Sequence, residues 1–221
     1  MTNNLKKLIS FASLMALSLQ LHAINYYISP TGDDNNAGTR EDAPLASLTT
    51  VQKKVKAGDV VYILPGTYQV KENEMMDKTS SNVWDIIFDF ATSGTADSPI
   101  IYKGVQDAQG NRPVFDLSAI NTGKRLTGFY IRAKYLEFSN FEVIGINVPK
   151  SSSNTQSENI RINGGSYCRF YNIAAHDGMG IGFYLTGRSA HNIISHCDAY
   201  NNFDSVNISV NNGGNSDGFG C

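Results

Sequence analysis

The chain has 221 residues, 41% hydrophobic and 17% charged, with 20 Gly, 6 Pro and a formal net charge of −2. The hydrophobic share excludes a disordered chain, and the small proline count excludes a collagen-like one. The mildly acidic balance excludes bulk binding of nucleic acid, which needs clustered Lys and Arg to displace counterions.

Residues 1–23 read as an export signal: Lys6 and Lys7, an apolar run over residues 8–21, and the small residue Ala23 at the exit. Cleavage near Ala23 removes two lysines and no acid, so the net charge moves from −2 to −4. The expected location is secreted, periplasmic or at the cell surface. No later apolar run reaches the roughly 20 residues of a membrane span. An acidic partner of such a chain has to be gripped through a bound cation.

Residues 24–29 read as a strand, followed by a polar loop rich in Gly, Asp and Asn. Leu45, Leu48, Val51 and Val55 have helical spacing over about three turns, with Ser47 as N-cap. Residues 60–64, Val-Val-Tyr-Ile-Leu, form a strand apolar on both faces and therefore buried on both. Residues 71–98 carry Trp84, Ile86, Ile87, Phe88 and Phe90 without a legible element.

From Pro99 onward short strands follow without helices, and three segments align. They are Leu136-Glu-Phe-Ser-Asn-Phe-Glu-Val, Cys168-Arg-Phe-Tyr-Asn-Ile-Ala-Ala and Asn192-Ile-Ile-Ser-His-Cys-Asp-Ala. Apolar residues recur at the third place (Phe138, Phe170, Ile194) and the sixth (Phe141, Ile173, Cys197), with Asn140, Asn172 and His196 at the fifth. The larger first offset is explained by an insertion over residues 150–157. A repeat of this length without helices indicates a parallel β-solenoid, whose equivalent side chains stack at about 4.8 Å. Thirteen of the 22 asparagines lie from Asn140 onward, which suits stacked turns whose amides bond one another and the backbone. A β-sandwich with hairpins at Asn163-Gly164 and Asn212-Gly213 is the competing fold, and the aligned interior positions favour the solenoid. The early helix then caps its N-terminal end.

Two stretches carry a resemblance. The first is Tyr27-Ile-Ser-Pro-Thr-Gly-Asp-Asp with Gly38-Thr39, then Ala57-Gly-Asp-Val-Val-Tyr-Ile-Leu-Pro-Gly-Thr-Tyr68, then residues 93–104 and 112–116. It resembles the N-terminal part of many secreted right-handed β-helix proteins, lyases and glycosidases alike. The second is His196-Cys-Asp-Ala-Tyr-Asn-Asn-Phe-Asp204, followed by Gly214-Asn-Ser-Asp-Gly-Phe-Gly-Cys221. It is similar to polysaccharide lyase family 9, the pectate and rhamnogalacturonan lyases, with Ser216 where the family has Ala and Gly213 where it has Glu.

The resemblance implies an all-β, right-handed parallel β-helix with a short N-terminal capping helix. It implies a Ca2+-dependent lyase acting on an acidic plant-type polysaccharide, with Asp217 as a calcium ligand. Asp204 and Asn215 are possible minor or substrate contacts. The family's other ligands and its catalytic Lys fall beyond Cys221, so the 221-residue chain is expected to be an inactive, monomeric N-terminal fragment. The expected organisation is a signal over 1–23, a cap and first strands over 24–98, and coils over 99–221 that continue further. In such a lyase, cation binding to the uronate carboxylate stabilises the charge that develops when the adjacent proton leaves. A base takes that proton and the glycosidic oxygen departs.

Other readings compete. A β-helix glycoside hydrolase needs paired carboxylates at a set separation, and a non-catalytic glycan-binding or adhesin β-helix needs none. Read alone, Asp217 is an Asx-turn carboxylate beside Gly218, and Asp204 is a turn residue. His176 and Asp177 are taken as a turn, since neighbours on a strand point to opposite faces. Lys150, Arg161 and Arg188 read as surface residues with an alternative role on uronate carboxylates. Phe138, Phe141 and Phe170 read as core, and Tyr171, Tyr184 and Tyr200 as outward candidates for sugar stacking. Cys168, Cys197 and Cys221 read as small buried side chains at equivalent points of successive coils, not as a disulfide framework.

Overall fold

The computed structural model describes residues 22–78, 84–149, 156–206 and 216–221. Nearly all of the expected signal, most of the expected insertion, Lys150, Asn212-Gly213 and Asn215 lie outside these residues. The described chain winds as a solenoid with three strand-bearing faces, and every ladder between its strands is parallel. Parallel pairing needs a long return path between partners. Here each coil supplies that path by visiting the other two faces.

The first face holds β1 (Asn25–Ile28), β2 (Val60–Ile63), β5 (Ile100–Gly104), the first halves of β8 (Leu136–Ile144) and β10 (Arg169–His176), and β12 (Ile193–Ser195). The second holds β3 (Thr67–Gln69), β6 (Val114–Asp116), the second halves of β8 and β10, and β13 (Asp198–Tyr200). The third holds β4 (Trp84–Phe90), β7 (Arg125–Ile131), β9 (Glu158–Asn163), β11 (Ile181–Thr186) and β14 (Phe219–Gly220). The segment around Trp84, without a legible element in the sequence, is thus the first strand of the third face.

The repeat register is the one the alignment requires. Phe138 pairs with Phe170 and Phe170 with Ile194, while Phe141 pairs with Ile173. Inside, Tyr102, Phe138 and Phe170 form a column of parallel rings with centroids 5.1 and 5.2 Å apart. Phe138, Phe141 and Phe170 are each about 1% exposed, as core residues should be.

β8 and β10 belong to two faces because each turns a corner at one residue. Asn140 (φ 60°) and Asn172 (φ 52°) sit in the left-handed region, and His196 (φ 53°) makes the same corner between β12 and β13. Asparagine is among the few side chains that enter this region with little cost. The Asn172 Nδ2 donates to Asn140 Oδ1 at 2.9 Å, and Arg112 Nη1 donates to both the Asn172 carbonyl and its Oδ1 at 3.2 Å. Asn172→Ala is expected to lower unfolding free energy by about 2 kcal/mol, from left-handed strain plus lost hydrogen bonds. Asn172→Gly should recover only the backbone share, which chemical denaturation of the two variants will separate.

Helix α1 is the single turn Leu48–Gln52, shorter than the three turns its spacing suggests. Ser47 is its N-cap, with Oγ accepting the Thr50 N–H at 3.1 Å. Leu45 precedes the helix in a bridge to Ile28, and Val55 follows it, yet all four spaced residues are buried. So short a helix is held by packing rather than propensity. Asp34 fixes its start, accepting the Ala46 and Ser47 N–H groups at 2.9 Å each.

The cysteines depart from expectation. Cys197 falls in the Phe141–Ile173 column as aligned and is half-buried, Cys168 is buried just before β10, and Cys221 is exposed. They occupy different columns, and all three are free thiols. Burial pushes the Cys168 and Cys197 thiols up, so neither is poised as a thiolate. No helix among the described residues is long and apolar enough to cross a membrane.

Candidate functional site

The third face gathers the candidate residues. Asp217 stands just before β14 and is exposed. Its carbonyl accepts the Gly182 N–H at 2.9 Å, and the Gly218 carbonyl accepts the Phe183 N–H at 2.9 Å. Phe219 stacks on Phe183 at 5.0 Å with rings 6° apart. The backbone of Asp217 is therefore fixed against β11, while its carboxylate faces solvent.

Asp204 is fully buried. Its N–H donates to Ser216 Oγ at 2.6 Å, and its Oδ1 accepts the Val206 N–H at 3.1 Å, the Asx-turn pattern. Ser216 Oγ in turn donates to the Met179 carbonyl at 3.1 Å. Asp204 thus ties the segment before Asp217 to the coil without offering its carboxylate to solvent. Among the described residues, no group of three or more His, Cys, Asp or Glu is placed to hold a metal.

Two to three strands along, the same face carries a charged cluster that the sequence did not disclose. Glu158 is fully buried, and its Oε1 accepts from Arg161 Nη1 at 2.7 Å and from Arg125 Nη2 at 3.0 Å. Thr127 Oγ1 donates to Glu158 Oε2 at 3.0 Å. The Arg161 guanidinium lies 4.7 Å from the Trp84 ring centroid and 5.2 Å from that of Tyr184, within cation–π range. Arg161, read from the sequence as a surface residue, is 8% exposed, and its Nε has no partner among the described residues. Tyr184 is correspondingly half-buried beneath it, while Arg188 is exposed at a left-handed turn. Two guanidinium groups on one carboxylate leave this cluster with one positive charge in excess.

The second face carries another network. Arg112 Nη2 meets Glu142 Oε1 at 2.7 Å, and His176 Nε2 lies 3.1 Å from Glu142 Oε2. His176 Nδ1 lies 2.7 Å from Asp177 Oδ2, and Tyr200 stacks on the imidazole at 4.3 Å. The opposite-face expectation for His176 and Asp177 fails because Asp177 turns into the left-handed region (φ 50°), which brings its carboxylate back to the ring. Hydrogen bonds from His176, then Asn201, hold the Asp177 carboxyl below the usual range.

Comparison with known proteins supplies the remaining findings. A family model described as "Pel9A-like, right handed beta helix region" matches residues 26–221. A pectate lyase of Emericella nidulans is 28% identical over 225 aligned positions, covering 96% of this chain and 46% of that protein. Pectate lyase L of Dickeya dadantii is 28% identical over 197 positions, covering 88% and 40%. A solved rhamnogalacturonan lyase superposes with a TM-score of 0.77 at 38% identity, over 90% of this chain and 50% of that one. The chain thus spans about half the length, or less, of these relatives.

Proposed function

The chain belongs to the Pel9A-like right-handed β-helix family, and from that premise we propose that it is the N-terminal part of an exported, monomeric, calcium-dependent lyase that cleaves an acidic pectin-type polysaccharide by β-elimination. The observation that carries this reading is the third face. It presents an exposed carboxylate, Asp217, and, two and three strands from it, the cluster in which Arg161 and Arg125 share Glu158. Strands two apart are separated by about 10 Å, so a polymer lying across the strands meets both. Of the two arginines, Arg125, with its side chain 21% exposed, is the one a polyuronate carboxylate can reach, while the buried Arg161 holds Glu158 beside it.

Calcium requires 6 to 8 oxygen ligands, and the described residues do not form such a set. Asp217 is one carboxylate of it, Asn215 lies outside the described residues, and Asp204 is turned inward. No step is therefore assigned to the cation. The proton α to the uronate carboxylate goes to a base C-terminal to Cys221, and the O4 leaving group departs as the ring double bond forms. Support for further coils comes from the relatives' length, of which this chain spans half or less. The identity of 38% to a rhamnogalacturonan lyase, against 28% to the pectate lyases, puts rhamnogalacturonan ahead of polygalacturonate as the first substrate to test.

The test compares residues 1–221 with the chain continued through its following coils. With either polymer and calcium, the longer protein is expected to raise ultraviolet absorbance from unsaturated uronate ends, and the shorter one is not. Chelator should abolish the signal. New reducing ends without absorbance would assign hydrolysis instead, and a signal indifferent to chelator would remove calcium from the mechanism.

A further inference from the structure

The N-terminal end of the solenoid holds a buried carboxylate that the lyase reading leaves unused. Asp59 stands just ahead of β2 and is 3% exposed. The turn over residues 56–59 aims it. Gly58 takes a positive φ of 94°, and the Asp59 N–H returns to the Lys56 carbonyl at 3.0 Å. The Asp59 carbonyl accepts the Ile101 N–H of β5 at 3.0 Å, which fixes the residue to the next coil.

Both carboxylate oxygens are occupied by backbone donors. Oδ2 accepts the Lys56 N–H and Oδ1 accepts the Ile24 N–H, each at 2.8 Å. Ile24 lies immediately before β1, and its carbonyl accepts the Val60 N–H at 2.9 Å. No ion pair among the described residues includes Asp59. A buried carboxylate with neutral donors alone keeps an uncompensated charge. That charge reaches its neighbours: burial first, and then Asp59, push the Tyr26 and Tyr102 hydroxyls up.

The nitrogen that Asp59 Oδ1 holds is the one that export processing would alter. We propose that removal of residues 1–23 turns the Ile24–Asp59 hydrogen bond into a buried ion pair, a processing switch that locks β1 onto β2. The step is hydrolysis of the Ala23–Ile24 peptide bond by a signal peptidase. The hydroxyl of water joins the Ala23 carbonyl carbon and its hydrogen joins the Ile24 nitrogen. The new carboxyl's proton then passes through solvent to the same nitrogen. Ile24 is left with an α-ammonium, charged at neutral pH, and the released segment with a carboxylate. The ammonium has three donors where the amide had one. One keeps Asp59 Oδ1, and a cavity of 110 Å3 beside Ile24 and Asp59 admits water to the others. Charge-assisted bonds are about twice as strong as neutral ones. The gain falls at the end of the stack, where local opening starts most easily.

This inference rests on the export reading, and two experiments separate them. In the first, the chain continued through its following coils is released from a fusion either at Ile24 or at His22, the latter keeping the Ile24 nitrogen an amide. Hydrogen exchange is read over residues 25–28 and 60–63. It is expected to be at least tenfold slower in the form that starts at Ile24, and Asp59→Asn should erase the difference. Equal exchange in the two forms, or a difference that persists in Asp59→Asn, would overturn the lock even for an exported protein. In the second, the chain with residues 1–23 is produced in a secreting bacterial host, and intact mass identifies its first residue, expected to be Ile24. A secreted protein that starts elsewhere would overturn the switch and leave export standing. An uncleaved protein kept in the cytoplasm would overturn the export reading and the switch together.

Discussion

Phe129→Ala is expected to cost about 3–5 kcal/mol of folding stability, the range for removing a buried ring whose site cannot collapse. Phe129 is 1% exposed, and its ring contacts four others, Phe88, Phe90, Phe115 and Phe141, at centroid distances of 5.1 to 5.4 Å. Two of these lie on β4, one on β6 and one on β8, so the ring joins all the coils of the middle section. In a stack held by fixed strand spacing, neighbouring coils cannot close over the vacated volume without breaking register. For a domain of this size the melting temperature should fall by about 10 °C. Phe203→Ala, at a position 54% exposed, should change stability by less than about 0.5 kcal/mol. Equal effects of the two substitutions in thermal melts would show that the aromatic interior is not what holds the coils.

Asp217→Ala, made in the chain continued past residue 221, is expected to lower lyase turnover about a hundredfold, the scale for losing charge stabilisation in a reacting site. The calcium concentration for half-maximal activity should rise at least tenfold, because affinity follows the number of charged ligands. Stability should be nearly unchanged. The bonds that hold this residue run through its carbonyl and the next one, and alanine keeps both. Asp217→Asn retains the oxygen but not the charge, so its calcium requirement should fall between. Unaltered turnover with an unaltered calcium requirement would remove Asp217 from the site.

The solenoid was legible because its neighbours are related by one coil. Phe138, Phe170 and Ile194 align in the sequence, and the structure pairs them in that register. The corner residues were legible too, since Asn140 and Asn172 recur at a fixed place between two apolar positions. The helix was half legible. The spacing of Leu45, Leu48, Val51 and Val55 identified buried residues, but only the central turn is helical, because Leu45 is claimed by its bridge to Ile28.

The polar sites were less legible. Coil length changes along the chain: 41 residues separate Val60 from its partner Ile101, and 24 separate Phe170 from Ile194. A constant offset therefore does not predict which outward side chains meet. Arg125 reaches Glu158 over 33 residues and Arg112 reaches Asn172 over 60. The only local signal for the first cluster was Glu158 three residues before Arg161 in an otherwise uncharged strand. For His176 and Asp177, alternation along a strand gave the wrong face because the positive φ of Asp177 interrupts it.

The sequence by itself determined the parallel coil and the identity of its interior columns. Hydrophobic burial and left-handed corners act on each coil separately and leave a periodic trace. The tertiary structure alone decided which charges pair on the third face, that Arg161 is buried between Trp84 and Tyr184, and that Asp177 turns back onto His176. The arrangements between coils depend on stacking coils of unequal length, and only the folded register fixes which side chains share a column.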